Sequence, residues 1–340
     1  MNDLKILSID LGFSGVKCCF KDPNSGELIL DNYISATAKL EEKPDEVDQD
    51  NAFQLAENYY VLGPQALKVP RQYLLPLKDY ETLKVITPIW ISFLLNKYQR
   101  NYGISFDKVC IGLSLVYKDK ADDLLEYITN ILMLDPDMFL CLPQGTAAKV
   151  AIQKYGLSLD PAKRTQFKYD NFLLFDIGSN SIDVALVIGS MSSTASSIGL
   201  ENHGVCKILY DIIDYIYQSA GVQISRDEAK VVLDTGIWKR RGRNYDLSAK
   251  VHELTMKYLV DVIDLMDTNK NLSAMVENVQ KIIIIGGGGV IFQKYYHELL
   301  PEMEKRGWAP GFWTFPEKDA EYFNAISYYL IGDSKINNKQ

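Results

Sequence analysis

The feature that most constrains the fold is a strand-and-turn that occurs twice. Ile9-Asp10-Leu11-Gly12-Phe13-Ser14-Gly15-Val16-Lys17 near the N-terminus returns in altered form as Phe175-Asp176-Ile177-Gly178-Ser179-Asn180-Ser181-Ile182-Asp183. In each copy an apolar strand leads to the Asp, a small polar turn follows, and a second apolar strand lies beyond it. The copies are about half the chain apart in a sequence of 340 residues, a length that suits two domains better than one core. The duplication implies two homologous halves facing each other across a cleft, each offering one carboxylate and one tight turn.

The rest of the chain alternates strand and helix patterns, which implies an α/β fold. In the first half, strands are expected at Lys5–Ile9, Gly15–Phe20 and Glu27–Ala36, then an exposed loop over the charged Lys39–Asp50 stretch. Helical spacing of apolar residues marks Thr82–Tyr98 and Lys120–Met133, with a buried strand at Lys108–Leu115 between them. A short strand, Phe139–Leu142, runs into Pro143-Gln144-Gly145-Thr146 and an alanine-rich helix, Ala147–Tyr155. Leu157–Asp170 reads as the linker. The second half repeats the order: a hairpin over Phe172–Ile188, helices at Gly204–Ala220, Asp227–Asp234 and Ser248–Met266, and a basic segment at Lys239-Arg240-Arg241-Gly242-Arg243 that reads as a solvated hairpin or loop. A fully apolar strand, Lys281–Ile285, then ends in Gly286–Gly289, and helices follow at Val290–Arg306 and Ala320–Leu330.

The turns carry the chemistry. A glycine after an Asp lets the backbone approach a ligand closely, and successive N–H groups in such a turn form an anion-binding nest. Ser14 and Ser179 add hydroxyls, and Lys17 can offer a point charge to a phosphate. Two turns facing each other suit a polyphosphate held from both sides. Asp10 and Asp176 would repel it unless Mg²⁺ intervened, an ion that keeps its waters and takes few protein carboxylates. Gly286–Gly289, between a strand and a helix, places N–H groups at a positive helix end. It is no dinucleotide fingerprint, since position 291 is Ile, and no G-x-x-x-x-G-K-[ST] occurs anywhere. Gln144 sits at a strand-to-helix junction, where an amide can orient a water without taking its proton.

Bulk properties narrow the alternatives. A net charge of −8 argues against direct binding of nucleic acid over the surface, and the tyrosines lack the interleaved basic residues of a stacking platform. The five cysteines form no C-x-x-C pair and read as reduced thiols of a cytoplasmic protein. Three isolated histidines make a zinc site unexpected. Met1-Asn2-Asp3 leads straight into a strand, so no signal peptide is expected, and no apolar run reaches the ~18 residues of a membrane span.

Taken in order, Asp10–Lys17, Leu142–Ala148, Asp176–Asp183, Ile284–Val290 and Phe323–Gly332 resemble the two phosphate turns, two connecting segments and adenosine segment of the actin, sugar-kinase and heat-shock chaperone ATPase superfamily. Within it, Tyr60–Leu67, Leu77–Leu83 and Tyr322–Gly332 look most like bacterial actin-like proteins of the ParM/StbA type. The resemblance spans nearly the whole chain. It implies an actin-like α/β fold of two duplicated domains, each a mixed sheet flanked by helices, with a nucleotide cleft between them. Residues 1–160 would form domain I, completed by a C-terminal helix in 320–340, and residues 161–319 domain II. It further implies a slow ATPase that assembles head to tail into filaments and segregates a plasmid through a DNA-binding adaptor protein, without touching nucleic acid or membrane itself.

Residue by residue, the resemblance assigns Asp10 and Asp176 to the magnesium side through water. Gly12, Phe13, Ser14, Gly15, Lys17, Gly178, Ser179 and Asn180 go to the phosphates, and Gln144 to the attacking water. Gly286, Gly287 and Gly288 go to the nucleoside, and Asp227 and Lys230 to the base and ribose. Two positions depart from the pattern: Gln144 stands where many prokaryotic relatives have Glu, and Asn180 where relatives often have Thr. ATP is the expected nucleotide, with GTP left open. A small-molecule kinase of the same superfamily and a nucleotide-regulated cytoskeletal adaptor are the alternatives.

Overall fold

A computed structural model describes residues 4–42, 52–145, 147–150, 171–188, 191–277, 279, 281–307, 312–314 and 321–337. The expected linker at Leu157–Asp170 lies outside the described residues, as do Lys43–Asp50 of the charged stretch and the end of the helix expected at Ala147–Tyr155. The chain divides into two compact units, Met1–Phe167 with Glu321–Gln340, and Lys168–Ala320.

Unit one is built on a five-stranded sheet. β1 (Ile6–Leu11) and β2 (Gly15–Lys21) make the first hairpin, and β3 (Leu28–Ile34) extends it antiparallel. All six residues of β1 are buried, as befits a central strand covered on both faces. A separate small sheet, in the order β4-β6-β5, holds β4 (Thr37–Leu40), β5 (Ala52–Leu55) and β6 (Asn58–Leu62). Lys39 and Leu40, the start of the expected loop, instead end β4, which is anchored by buried Thr37 and Ala38, and Thr37 Oγ1 accepts a hydrogen bond from Trp90 Nε1 at 3.0 Å. Helix α1 (Tyr80–Tyr102) opens on a capping box in which Asp79 Oδ1 accepts from the Thr82 N–H and Thr82 Oγ1 accepts from the Asp79 N–H. It stops at Gly103, whose left-handed φ of 66° ends a helix at little cost. β7 (Lys108–Leu113), α2 (Ala121–Leu132) and β8 (Phe139–Pro143) follow. The sheet order is β3-β2-β1-β7-β8, with β7 parallel to β1 and β8 parallel to β7.

Unit two repeats that plan. β9 (Phe172–Ile177) and β10 (Ser181–Ile188) form the second hairpin, and β11 (Met191–Glu201) extends it. Helices α3 (Cys206–Ala220) and α4 (Arg226–Thr235) come next. α4 has its own capping box, between Ser225 and Glu228. The basic segment, expected as a hairpin or loop, is the turn of a two-stranded ribbon, β12 (Ile237–Arg240) with β13 (Arg243–Asp246). α5 (Ser248–Thr268) and α6 (Lys270–Val276) lead to β14 (Lys281–Ile285), α7 (Gly286–Lys305) and β15 (Phe312–Thr314). The sheet order is β11-β10-β9-β14-β15, with β14 parallel to β9 and β15 parallel to β14. Each unit packs its helices on its own apolar core, around Trp90, Phe93 and Tyr98 in unit one and Phe175, Ile263 and Phe292 in unit two.

The chain then returns to unit one as α8 (Phe323–Asn337). This helix lies against β1, where Ser8 Oγ donates to the Ala325 carbonyl at 2.7 Å. The two sheets therefore share order, pairing sense and hairpin position, which is the structural form of the sequence duplication.

Candidate functional site

In unit one the site is assembled from three elements. β1 delivers Asp10 to its C-terminal end, and the chain reverses through Gly12-Phe13-Ser14, closed by the Gly12 N–H on the Gly15 carbonyl at 2.9 Å. Asp10 faces Lys17 as its cross-strand partner. The end of β8 supplies Gln144, whose backbone N–H bonds the Leu113 carbonyl at 2.8 Å and whose side-chain Nε2 donates to Asp10 Oδ1 at 2.7 Å. The start of α8 supplies Asn324, which also hydrogen-bonds Asp10 and accepts from the Gly145 N–H at 3.4 Å. Asp10 is only 5% exposed. Burial pushes its carboxyl up from the ordinary carboxylate range, and Lys17 and the bonds from Gln144 and Asn324 pull against that. Ser14 is exposed and Gly12, Phe13 and Lys17 are partly so, whereas Gly15 is buried against β3.

In unit two the equivalent turn is Gly178-Ser179-Asn180, closed by the Gly178 N–H on the Ser181 carbonyl at 3.0 Å. The segment before α3 is laced onto it. Gly204, Val205 and Cys206 donate backbone N–H groups to the carbonyls of Asn180, Gly178 and Ser179 at 3.2, 3.0 and 2.8 Å. Asn180 is buried and its Oδ1 faces the Cys206 thiol at 3.8 Å, so its side chain is turned into the protein while Ser179 remains partly exposed. The cross-strand partner of Asp176 is Asp183. The place held by a cation in unit one is thus held by a second, 2% exposed carboxylate in unit two.

The glycine run is the first turn of α7, not a segment before it, so the expected helix start at Val290 is corrected by four residues. Glycine is the poorest helix former after proline, and the reason it is used here is space. A Cβ on Gly286 would lie 2.6 Å from Asp176 Oδ1, at a φ of 79°, and one on Gly288 would lie 2.1 Å from Ile177 Cγ2. A Cβ on Gly287 would meet nothing within 4 Å. The bare backbone of Gly286 and Gly288 lets α7 press on the Asp176 strand end, and Gly287 leaves its backbone open to whatever lies outside.

The sequence-assigned residues therefore gather into two groups, one per unit. Asp10, the Gly12–Ser14 turn, Lys17 and Gln144 form one, and Asp176, the Gly178–Asn180 turn and Gly286–Gly288 the other. Asp227 and Lys230 join neither by a hydrogen bond or ion pair among the described residues. Both are exposed on α4, and Lys230 pairs with Asp234 at 2.5 Å. Asn324, Gly204 and Asp183 belong to these groups without having been assigned a role from the sequence. Among the described residues no group of three or more His, Cys, Asp or Glu side chains could hold a metal ion. Each unit places one buried carboxylate, Asp10 or Asp176, at the end of its central strand, a donor that suits an ion held chiefly by water and phosphate oxygens, such as Mg²⁺, rather than one caged by protein. No helix is long and apolar enough to cross a membrane among the described residues.

Solved structures with this architecture cover almost the whole chain. The ParM of a 15-stranded filament from Clostridium botulinum matches with a TM-score of 0.70 at 18% identity, over 98% of this chain and 99% of that one. The fold is actin-like. The archaeal actin homologue Ta0583 in complex with ADP matches at TM-score 0.69 and 14% identity, over 97% of this chain and 100% of that one. Bacillus thuringiensis ParM with ATP matches at 0.62 and 13%, over 98% and 99%. Residues 174–298, the core of unit two, match the family described as archaeal actin homologue MreB-like, C-terminal. No curated protein sequence matches. The actin-like resemblance read from the five segments is thus met by the fold, and over residues 174–298 by the family model.

Proposed function

We propose that the chain binds one purine nucleoside triphosphate, ATP in the first instance, with both turns on its phosphates, and that it assembles head to tail while the triphosphate is bound. The observation that carries this reading is the exact repetition of one sheet plan in an actin-like fold, with a buried carboxylate and a closed glycine turn at the same strand end each time. The Gly12–Ser14 turn with Lys17 and the Gly178–Ser179 turn hold phosphate oxygens, and the open backbone of Gly287 lies along the nucleoside. Mg²⁺ bound with the triphosphate would be held through water by Asp10 and Asp176 and would neutralise charge on the phosphates.

Gln144 orients the attacking water. An amide cannot accept its proton, and Gln144 is already tied to Asp10, so hydrolysis is slow and follows assembly. Filament contacts need only differ between nucleotide states for hydrolysis to drive disassembly. The C. botulinum and B. thuringiensis proteins of this fold are ParMs. Plasmid segregation through an adaptor protein is the cellular role we assign, because a chain of net charge −8 is poorly suited to grip DNA itself.

Sedimentation with ATP·Mg²⁺, with ADP·Mg²⁺ and with no nucleotide tests the reading. Pelleting that depends on triphosphate above a critical concentration supports it. Protein that stays in the supernatant under all three conditions overturns it. Phosphate transfer to a sugar in a coupled assay would favour a kinase instead.

A further inference from the structure

The β12–β13 ribbon carries four cations in five residues, Lys239, Arg240, Arg241 and Arg243. None of them forms an ion pair with another described residue, although Arg240 lies over the Trp238 ring at 5.6 Å. Every residue of β13 is exposed, and among the described residues the ribbon is a sheet of two strands, with no further strand on the far edge of either. The turn is made by Arg241 and Gly242, at φ 47° and 75°. This is the doubly left-handed hairpin turn that normally takes Asn or Asp before Gly. An arginine there is strained and self-repelled by its neighbours, and nothing in the fold of unit two requires it. Strain of this kind is where a function is to be sought.

The same unit has an opposite feature. A cavity of about 230 Å³ is lined by His203, Lys207, Tyr258, Asp261, Asp264 and Thr268, among others. Asp264 also holds Arg306, together with Asp267 at 3.3 Å and Glu302 at 2.7 Å. The lining thus sets Asp261 and Asp264 against Lys207, while beside it Asp264, Asp267 and Glu302 share the one cation Arg306, which leaves the carboxylates in excess of the cations; Asp261, Asp264 and Thr268 recur along one stripe of α5 at helical spacing.

We infer that the Arg241–Gly242 tip of one copy seats against the Asp261–Asp264 cavity of the next, with Asp267 beside it. Resting on the filament reading, this names its contact and its partner: a second copy of this chain. The two surfaces differ, so the contact is heterologous, and repetition generates an open fibre rather than a closed dimer. A nucleic acid could also attract the ribbon. The rest of the chain is more acidic even than the overall −8, which disfavours phosphate and favours a carboxylate-lined concavity.

Carbodiimide cross-linking at low ionic strength, on a mixture of isotopically light and heavy wild-type chains, tests the contact with or without nucleotide. The expected product is an intermolecular link from Lys239 to Asp261, Asp264, Asp267 or Glu302. Links from Lys239 only to other carboxylates overturn the inference. Charge reversal supplies the second arm. Arg241→Glu with Arg243→Glu, or Asp261→Lys with Asp267→Lys, should each raise the critical concentration by about ten-fold or more, since like charges then face each other across the interface. All four reversals in one chain should bring it back to within about three-fold of wild type. Failure of that rescue, with thermal unfolding unchanged, overturns the inference, as does a ribbon reversal that spares assembly but abolishes binding to a DNA duplex in anisotropy. Wild-type protein that never pellets counts against the filament reading alone, and the cross-links still decide the contact.

Discussion

Adjacent glycines in α7 separate what the fold needs from what a ligand needs. Gly288→Ala places a methyl 2.1 Å from Ile177 Cγ2 and 2.5 Å from Ile177 Cβ, in a fully buried setting. Overpacking of this kind costs about 1–3 kcal/mol. Against it stands a gain of up to about 1 kcal/mol, because alanine is the better helix former. The expected net loss is about 1–2 kcal/mol, which lowers Tm by roughly 2–8 °C for a unit of this size. Gly287→Ala meets nothing within 4 Å and has no left-handed φ, so only the helix-forming gain remains, and Tm should hold or rise by up to about 2–4 °C. If the Gly287 backbone lies along a nucleoside, the same harmless methyl should weaken ATP binding at least about ten-fold, a loss of about 1.4 kcal/mol. Thermal unfolding without nucleotide and calorimetric titration with ATP·Mg²⁺ read the two effects separately. A Gly287→Ala protein that is stable and binds ATP like wild type refutes the nucleoside placement. A Gly288→Ala protein of unchanged Tm refutes the packing argument.

Other perturbations follow from the same geometry. Burial raises the folded-state pKa of Asp10 above its unfolded value, so the folded form binds more protons and stability falls as pH rises through and above the ordinary carboxylate range. Asp10→Asn should therefore raise the Tm of the nucleotide-free protein at pH 7 more than at pH 4 while abolishing ATP·Mg²⁺ binding, a comparison made by calorimetry at both pH values. Gln144→Ala should lower phosphate release by about a hundred-fold, the usual scale for losing one positioned hydrogen-bonding group, while ATP affinity changes only a few-fold. Arg241→Asn should relieve the left-handed turn, a gain of up to about 1–2 kcal/mol that raises Tm by up to roughly 2–8 °C for unit two, yet increase the critical concentration for assembly.

How much of this was legible in sequence depends on whether the signal was local. The duplicated turns were visible because each is a contiguous run whose glycine and Asp serve a purpose within nine residues. α1 was visible because its apolar spacing and its Asp79–Thr82 cap lie in one window. β11 was not, since Met191-Ser192-Ser193-Thr194-Ala195-Ser196-Ser197 has neither the bulk nor the alternation of a strand and is held by pairing with β10. The helical state of Gly286–Gly289 was hidden by composition: propensity argues against a helix, and close packing on Ile177 and Asp176 overrides it. Asn324 could be placed in a connecting segment but not against Asp10, because the two meet across most of the chain's length. The basic segment stayed open between a loop and a solvated hairpin because a run of charge suits either.

The central claim is that two duplicated carboxylate turns serve one nucleotide. Titration of ATP with Mg²⁺ into the wild type, Asp10→Ala and Asp176→Ala proteins, each checked for folding by its thermal transition, tests it most directly. One site per chain in the wild type, lost or weakened at least about a hundred-fold in each variant, is the expected result. Wild-type affinity retained after removal of either carboxylate from a folded chain, or no binding by the wild type, would contradict the account.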